Sequence, residues 1–177
     1  MDLPRVNDDS VDYVTPRAAG VPDPWSAQGG GRTSQRLVEV AEVPAPEPVA
    51  EAFALAEGSP VVLRRRIMLF DGRPVELTHS YYPTPIASGT ELAEPRKIPG
   101  GAPTLLARLG YPPHEVVEDI SVRQATAVEA AELEITEGHP VLVLFRVTRA
   151  FDGTAFEASM MIMRPEGRHL RYRIMVG

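Results

Sequence analysis

The second half of this chain repeats the first, and that repetition constrains its fold more than any other feature. At a spacing of 80 residues Ala45 matches Ala125, Ala50 matches Ala130, Gly58 matches Gly138, Pro60 matches Pro140 and Arg66 matches Arg146. After one inserted residue the spacing becomes 81, and Phe70, Asp71 and Gly72 match Phe151, Asp152 and Gly153, while Glu76 matches Glu157. A self-similar sequence at a fixed period implies two structurally similar units. With 177 residues available, both belong to one domain with one sizeable core.

Each half opens with an alternating segment, LVEVAEV over 37–43 and VVEDISVRQA over 116–125, the period-2 signature of a strand. An alanine- and glutamate-rich stretch follows, predicting helices over about 47–56 and 126–134. Pro48 suits a first helical turn, and Thr126 with Glu129 forms a capping box. Gly-x-Pro then introduces two strands joined at Asp71-Gly72 or Asp152-Gly153, dipeptides that supply the positive φ a tight hairpin needs. Each half therefore reads as β-α-β-β. Leu105, Leu106 and Leu109 predict a short connecting helix, and HLRYRIMVG a closing strand. The sum is an α+β fold: an antiparallel sheet of about six or seven strands with helices on one side.

Residues 1–35 carry Pro4, Pro16, Gly20, Pro22, Pro24 and the run Gly29, Gly30, Gly31, and read as an extended arm ahead of a domain over 36–177. Tyr13 and Trp25 are its exceptions, rings that anchor such arms on a domain surface. No apolar run reaches the ~18 residues needed to span a bilayer, so no membrane partner is expected. The N-terminus lacks a secretory pattern and there are no cysteines, which points to the cytoplasm and excludes disulfides and thiolate chemistry. The net charge of −6 disfavours a phosphate-neutralising face, so direct DNA binding by these residues is not expected. The scarcity of lysine against arginine reads as an actinobacterial coding bias. No metal-ligand spacing, phosphate loop or Ser-His-Asp set occurs, so no cofactor or metal is expected. His79, His114, His139 and His169 are scattered and read as surface residues.

The order of the motifs VAEVPAPEPVAEAFAL, GSPVVLRRRIMLFDGRPVELTHSYYP, GG with a leucine-rich helix, EDISVRQATAVEAAELEI, GHPVLVLFRVTRAFDGTAFEASMMIMR and HLRYRIMV resembles the UTRA domain of GntR-type transcriptional regulators, HutC subfamily. The resemblance implies a chorismate-lyase-like fold, a small-molecule effector as partner, and a homodimer. Such domains usually follow a winged helix-turn-helix, for which the 35 Pro- and Gly-rich residues are too few; the expectation is a sensor without its own DNA-binding domain, acting alone or with a full-length regulator.

The resemblance also implies where the effector sits: between the halves of the sheet. Arg66 falls on an arginine position suited to carboxylate or phosphate. Met68 replaces a second arginine, which argues for a less charged or more apolar ligand. Thr78, Ser80 and Tyr82 follow on one strand face by the two-residue period, and Glu157 is the acidic residue of the second half. Gly100 and Gly101 match a loop whose amides face the ligand, while Arg146, Arg164 and Tyr172 complete the candidate set. Each has a bland counter-reading. Of Arg64, Arg65 and Arg66, at least one should be solvated, and any arginine can serve in a structural salt bridge. Met68, Met160, Met161 and Met163 fit core filling better than a pocket wall. Two rival functions share these residues: a chorismate-lyase-like enzyme using Arg66, Arg146 and Glu157, and an interaction module that pairs with a full-length regulator. The sensor, a non-enzyme, is the preferred expectation.

Overall fold

The computed structural model describes residues 6–8, 10–18 and 21–172. In chain order the elements are β1 (Val6–Asp8), α1 (Ser10–Val14), α2 (Pro24–Gln28), β2 (Thr33–Pro44), α3 (Glu47–Ala52), β3 (Pro60–Phe70), β4 (Arg73–Pro83), α4 (Thr84–Ala87), a single 3-10 turn (Glu91–Ala93), α5 (Gly101–Arg108), β5 (Glu115–Gln124), α6 (Ala127–Leu133), β6 (Pro140–Arg149), β7 (Ala155–Met163) and β8 (Arg168–Leu170). The repeat is therefore β2-α3-β3-β4 followed by β5-α6-β6-β7.

Strands β2 to β7 form one six-stranded antiparallel sheet in the order β2-β3-β4-β7-β6-β5. The last strands of the two halves, β4 and β7, meet at its centre. Their register pairs Glu76 with Met163, Thr78 with Met161 and Ser80 with Ser159, so the halves face one another across a pseudo-two-fold axis. Side chains on alternate positions then fall on opposite faces. Ile67, Leu77 and Ile162 pack with Ala130 and Leu133 of α6, while Leu63, Tyr81 and Ala158 pack with Val49 and Ala50 of α3. The two repeated helices thus share one face, as expected. The opposite face carries its own cover, in which Val62 and Tyr82 pack against Ala87 of α4 and Leu105 and Leu106 of α5.

Local chemistry accounts for the element ends. Thr126 accepts from the Glu129 amide at 3.2 Å and the Glu129 carboxylate accepts from the Thr126 amide at 2.9 Å, the reciprocal capping box at the start of α6. Asp71 and Gly72 both hold positive φ, 47° and 75°, and turn β3 tightly into β4. The inserted residue changes the second hairpin: only Gly153 is left-handed, at 85°, and the Asp152 carboxylate steadies the wider loop by accepting from the Thr154 amide at 2.9 Å.

Two expectations change. Within the proline-rich arm, α1 and α2 are short helices, α2 being capped by the Asp23 carboxylate accepting from the Ser26 amide at 3.0 Å. Proline at a helix start favours this conformation, a signal hidden by the surrounding Gly and Pro. The described part of the C-terminal segment does not join the main sheet; β8 pairs in parallel with β1. Residues 173–177 of the expected closing strand lie outside the described residues. Among the described residues, no helix is long and apolar enough to cross a membrane.

Candidate functional site

The three consecutive arginines of β3 separate by strand parity and none is simply solvated, contrary to expectation. Arg65 points to the α6 face and pairs with Glu132 at 2.6 Å and Glu39 at 3.2 Å. There it also donates to His79 Nε2 at 3.4 Å, and burial and the arginine charge push the His79 pKa down, so His79 is not the surface residue expected. Arg64 is buried on the other face, where it donates to the carbonyls of Leu92, Glu94 and Arg96 at 2.9, 2.8 and 2.7 Å and shapes the 3-10 segment. Arg66, two residues on along the same face, borders a partly open cavity.

This cavity of about 120 Å³ lies between the centre of the sheet and the arm. Its floor is built from both halves: Arg66 and Met68 of β3, Thr78 and Tyr82 of β4, Arg146 of β6 and Glu157 of β7. Gly100 and Gly101 border it at the start of α5, both at positive φ, and Tyr13, Arg17 and Trp25 of the arm form its roof. The Gly101 amide donates to the Ile98 carbonyl at 3.0 Å, so that N–H is already used within the loop.

The remaining three sequence-derived candidates stand behind or away from the wall. Ser80 is fully buried beneath Arg66, and accepts from its Nη2 at 3.0 Å. Tyr172 is 52% exposed, and its hydroxyl donates to Glu118 at 2.9 Å rather than reaching the cavity. Arg164 also lies off the lining, its Nε 3.8 Å from Glu166. Sequence spacing placed both beside the last strands, but the chain turns away after β7 toward β1.

Several residues in or behind the wall lie outside the sequence-derived candidates. Glu76 holds Arg168 at 2.9 Å and accepts from Thr78 at 2.7 Å. Glu118 of β5 holds Arg146 at 2.6 Å, with side chains 7% and 8% exposed respectively. Burial acts to raise the Glu118 pKa, but the Arg146 charge and hydrogen bonds from Ser10, Arg146 and Tyr172 outweigh it and hold the carboxyl below its usual range. The repeat already marked Glu76 as the partner of Glu157, and Ser159 lies two residues beyond Glu157; Trp25 was expected only to anchor the arm, and Arg17 carried no comparable signal. Met68, Met161 and Met163 line the cavity, as does Leu144, whereas Met160 packs in the α6 core. The methionines thus divide by parity between wall and core. Tyr82 is kept protonated: burial and the Glu157 charge raise its pKa well above the ordinary phenol value, against the opposing arginines.

Arg66 and Glu157 differ from their repeat partners in having no ion-pair partner among the described residues. Arg66 Nε is buried and unpartnered, as is Arg17 Nε. Among the described residues no group of three or more His, Asp or Glu is placed to hold a metal.

The described residues thus form one antiparallel sheet of two β-α-β-β halves around a central, partly charged cavity. The chain belongs to the UTRA domain family, whose match spans residues 28–167. It is 33% identical over 129 residues to the uncharacterized HTH-type transcriptional regulator SCO4628 of Streptomyces coelicolor, covering 71% of this chain and 48% of that protein. The chain thus spans about half the length of this curated relative. Among solved structures it is similar to the effector domain of PhnF from Mycobacterium smegmatis, with TM-score 0.72 and 22% identity over 92% of this chain and 99% of that one. The ligand-binding domain of a putative GntR-family transcriptional regulator from Bordetella bronchiseptica gives TM-score 0.67 and 22% identity, covering 82% and 92%. These relatives are transcriptional regulators and their effector domains, and at such identities the structures establish the shared fold.

Proposed function

We propose that this chain is the effector-sensing part of a GntR-type regulator of the HutC branch, and that it works by reversibly holding a small metabolite in the central cavity. The observation that carries this reading is the cavity itself. It is bounded by both halves of the sheet, by α5 and by the arm, and its wall includes an arginine with unspent donors. A ligand there touches four separate parts of the chain and can bias their arrangement only through differential contacts. In support, the UTRA match spans residues 28–167, and the chain's net charge of −6 does not suit an operator. The setting proposed is the cytoplasm of an actinobacterium, where a regulator meets both metabolite and DNA.

A homodimer fits the edge of the sheet. Strand β5 is ten residues long and lies at the end of the strand order, with Val117, Ile120 and Val122 exposed. A long edge strand with exposed apolar side chains is a template for pairing. The same edge suits a full-length regulator as an alternative partner. The chorismate-lyase-like reading is weaker, because Glu118 already neutralises Arg146, one of the arginines a dicarboxylate substrate would engage.

A thermal-shift screen against carboxylic acids, sugar phosphates, antibiotic-like compounds and chorismate tests the reading. A ligand at 100 times its Kd adds about 2.7 kcal/mol, which is roughly 5–10 °C for a domain of this size. Arg66→Ala should keep the fold and abolish that shift. A mutant that still responds fully, or one that unfolds, rejects the role given to Arg66; a ligand consumed in the assay moves the assignment to an enzyme.

A further inference from the structure

The repeat brings four charged side chains to the cavity as two like pairs, Arg66 with Arg146 and Glu76 with Glu157. The protein neutralises one member of each pair from behind. Arg146 is held by Glu118 at 2.6 Å, and Glu76 by Arg168 at 2.9 Å. The other two, Arg66 and Glu157, keep opposite charges without an ion-pair partner among the described residues.

A relay of serines connects them. Ser159 donates to Glu157 Oε1 at 3.1 Å, because an ionised carboxylate can only accept. Ser159 Oγ must therefore accept from Ser80 Oγ, 2.9 Å away, and Ser80 accepts from Arg66 Nη2 at 3.0 Å. Both hydroxyl protons are thereby committed inside the wall. What remains for a ligand is the rest of the Arg66 fork at one end and the second Glu157 oxygen at the other. Arg17 adds a second cation at the roof, its Nη1 already donating to the Pro22 carbonyl at 3.1 Å. Asp23, also on the lining, is occupied by the Ser26 amide and hydroxyl at 3.0 and 2.8 Å. Beside this polar row the wall is apolar: Leu144 and Met161 share the strand register of Arg66, and Met68 and Met163 lie one step further from Glu157.

We infer that the ligand is a small zwitterion, an amino acid with a compact apolar body, whose carboxylate sits on Arg66 and whose ammonium sits on Glu157. This rests on the sensor-cavity reading above and deepens it. A dianion would meet Glu157, a simple amine would meet Arg66 and Arg17, and a neutral apolar guest would leave opposite charges partly desolvated and unpaired. Only a ligand carrying both charges satisfies both ends. The cavity of about 120 Å³ is of the order of one that admits a benzene-sized guest, which suits a body of a few carbons or a single ring.

The test is calorimetric titration of the purified chain with α-, β- and γ-amino acids bearing leucine-, methionine- and phenylalanine-like bodies. Each is matched by its deaminated acid and its decarboxylated amine. At least one amino acid should bind, with both matched analogues at least tenfold weaker. Glu157→Gln should erase the preference for amino acid over acid while leaving acid binding intact, and Arg66→Met should remove both; thermal unfolding confirms that each variant is folded. Equal binding of acid and amino acid, a preference that survives Glu157→Gln, or no binding by any amino acid overturns the zwitterion. Leu144→Trp separates the two claims. If it abolishes the response to some other metabolite found by thermal shift, the cavity reading stands and only the ligand class falls. If no metabolite responds at all, both fall.

Discussion

Replacing Trp25 by alanine tests whether the arm is held to the sheet by one side chain. The indole is 2% exposed and packs on Met68, Phe70 and Val75, its Nε1 donates to the Ser34 carbonyl at 2.9 Å, and the Arg168 guanidinium lies 5.4 Å from the ring. A buried tryptophan removes 150–250 Å² from water, worth roughly 4–6 kcal/mol at about 25 cal/mol per Å². Measured truncations of buried aromatics fall at about 3–5 kcal/mol. Helices α1 and α2 have five residues each, far below the length at which a helix is stable without tertiary contacts. The arm should therefore lose its order with the ring. We expect Trp25→Ala to lower Tm by roughly 6–20 °C, using about 2–4 °C per kcal/mol, and to open residues 10–32 to limited proteolysis. Trp25→Phe keeps most of the packing and should lose about 1–2 kcal/mol. Trp25 is the single tryptophan, so its emission reports arm docking directly, and in the native protein it should be blue-shifted. An unchanged Tm with a protease-resistant arm, or native emission at the solvent-exposed wavelength, refutes the reasoning.

Two further predictions concern the folded state. Thr126→Ala removes the capping box of α6 and should cost about 1 kcal/mol, read as a fall in the denaturation midpoint with unchanged slope; no change would mean the cap contributes nothing. On acidification, Glu118 and Glu129 both destabilise the fold. Hydrogen bonds from Arg123 chiefly hold the Glu129 pKa down to about 2, and Glu118 also lies below its ordinary value. Because both folded-state values are depressed, their contribution is fully present above the ordinary carboxyl value of 4.5 and is lost as pH falls from there toward about 2. Glu118→Gln should lower stability at neutral pH and flatten this acid limb in urea titrations at pH 3–7; an unaltered limb would show that the Arg146 pair carries none of the dependence.

Much of the sheet was legible because its signals are local. Alternation gave the strands, Thr126 with Glu129 gave the start of α6, and Asp71-Gly72 gave the first hairpin. The repeat alone relates Glu76 to Glu157 and Arg66 to Arg146. The arm and the C-terminal segment were misjudged because neither has a local signal for its partner. The helices in the arm are one turn or so and take their order from Trp25 on Met68 and Phe70, and HLRY is directed by β1 from the far end of the chain.

The cavity shows the same division more sharply. Period-2 alternation fixes that Arg66 and Met68 share one face, and that Glu157, Ser159, Met161 and Met163 share another row, because a pleated strand permits no other arrangement. Which charges are free is a separate matter, decided by side chains distant in sequence: Glu118 reaches Arg146 from β5 and Arg168 reaches Glu76 from β8. Neutralisation depends on distances of a few ångströms, and sequence separation carries no information about them. The sequence by itself determined the halves, their faces and the residue types offered to the cavity; only tertiary packing decided that Arg66 and Glu157 are left without an ion-pair partner among the described residues.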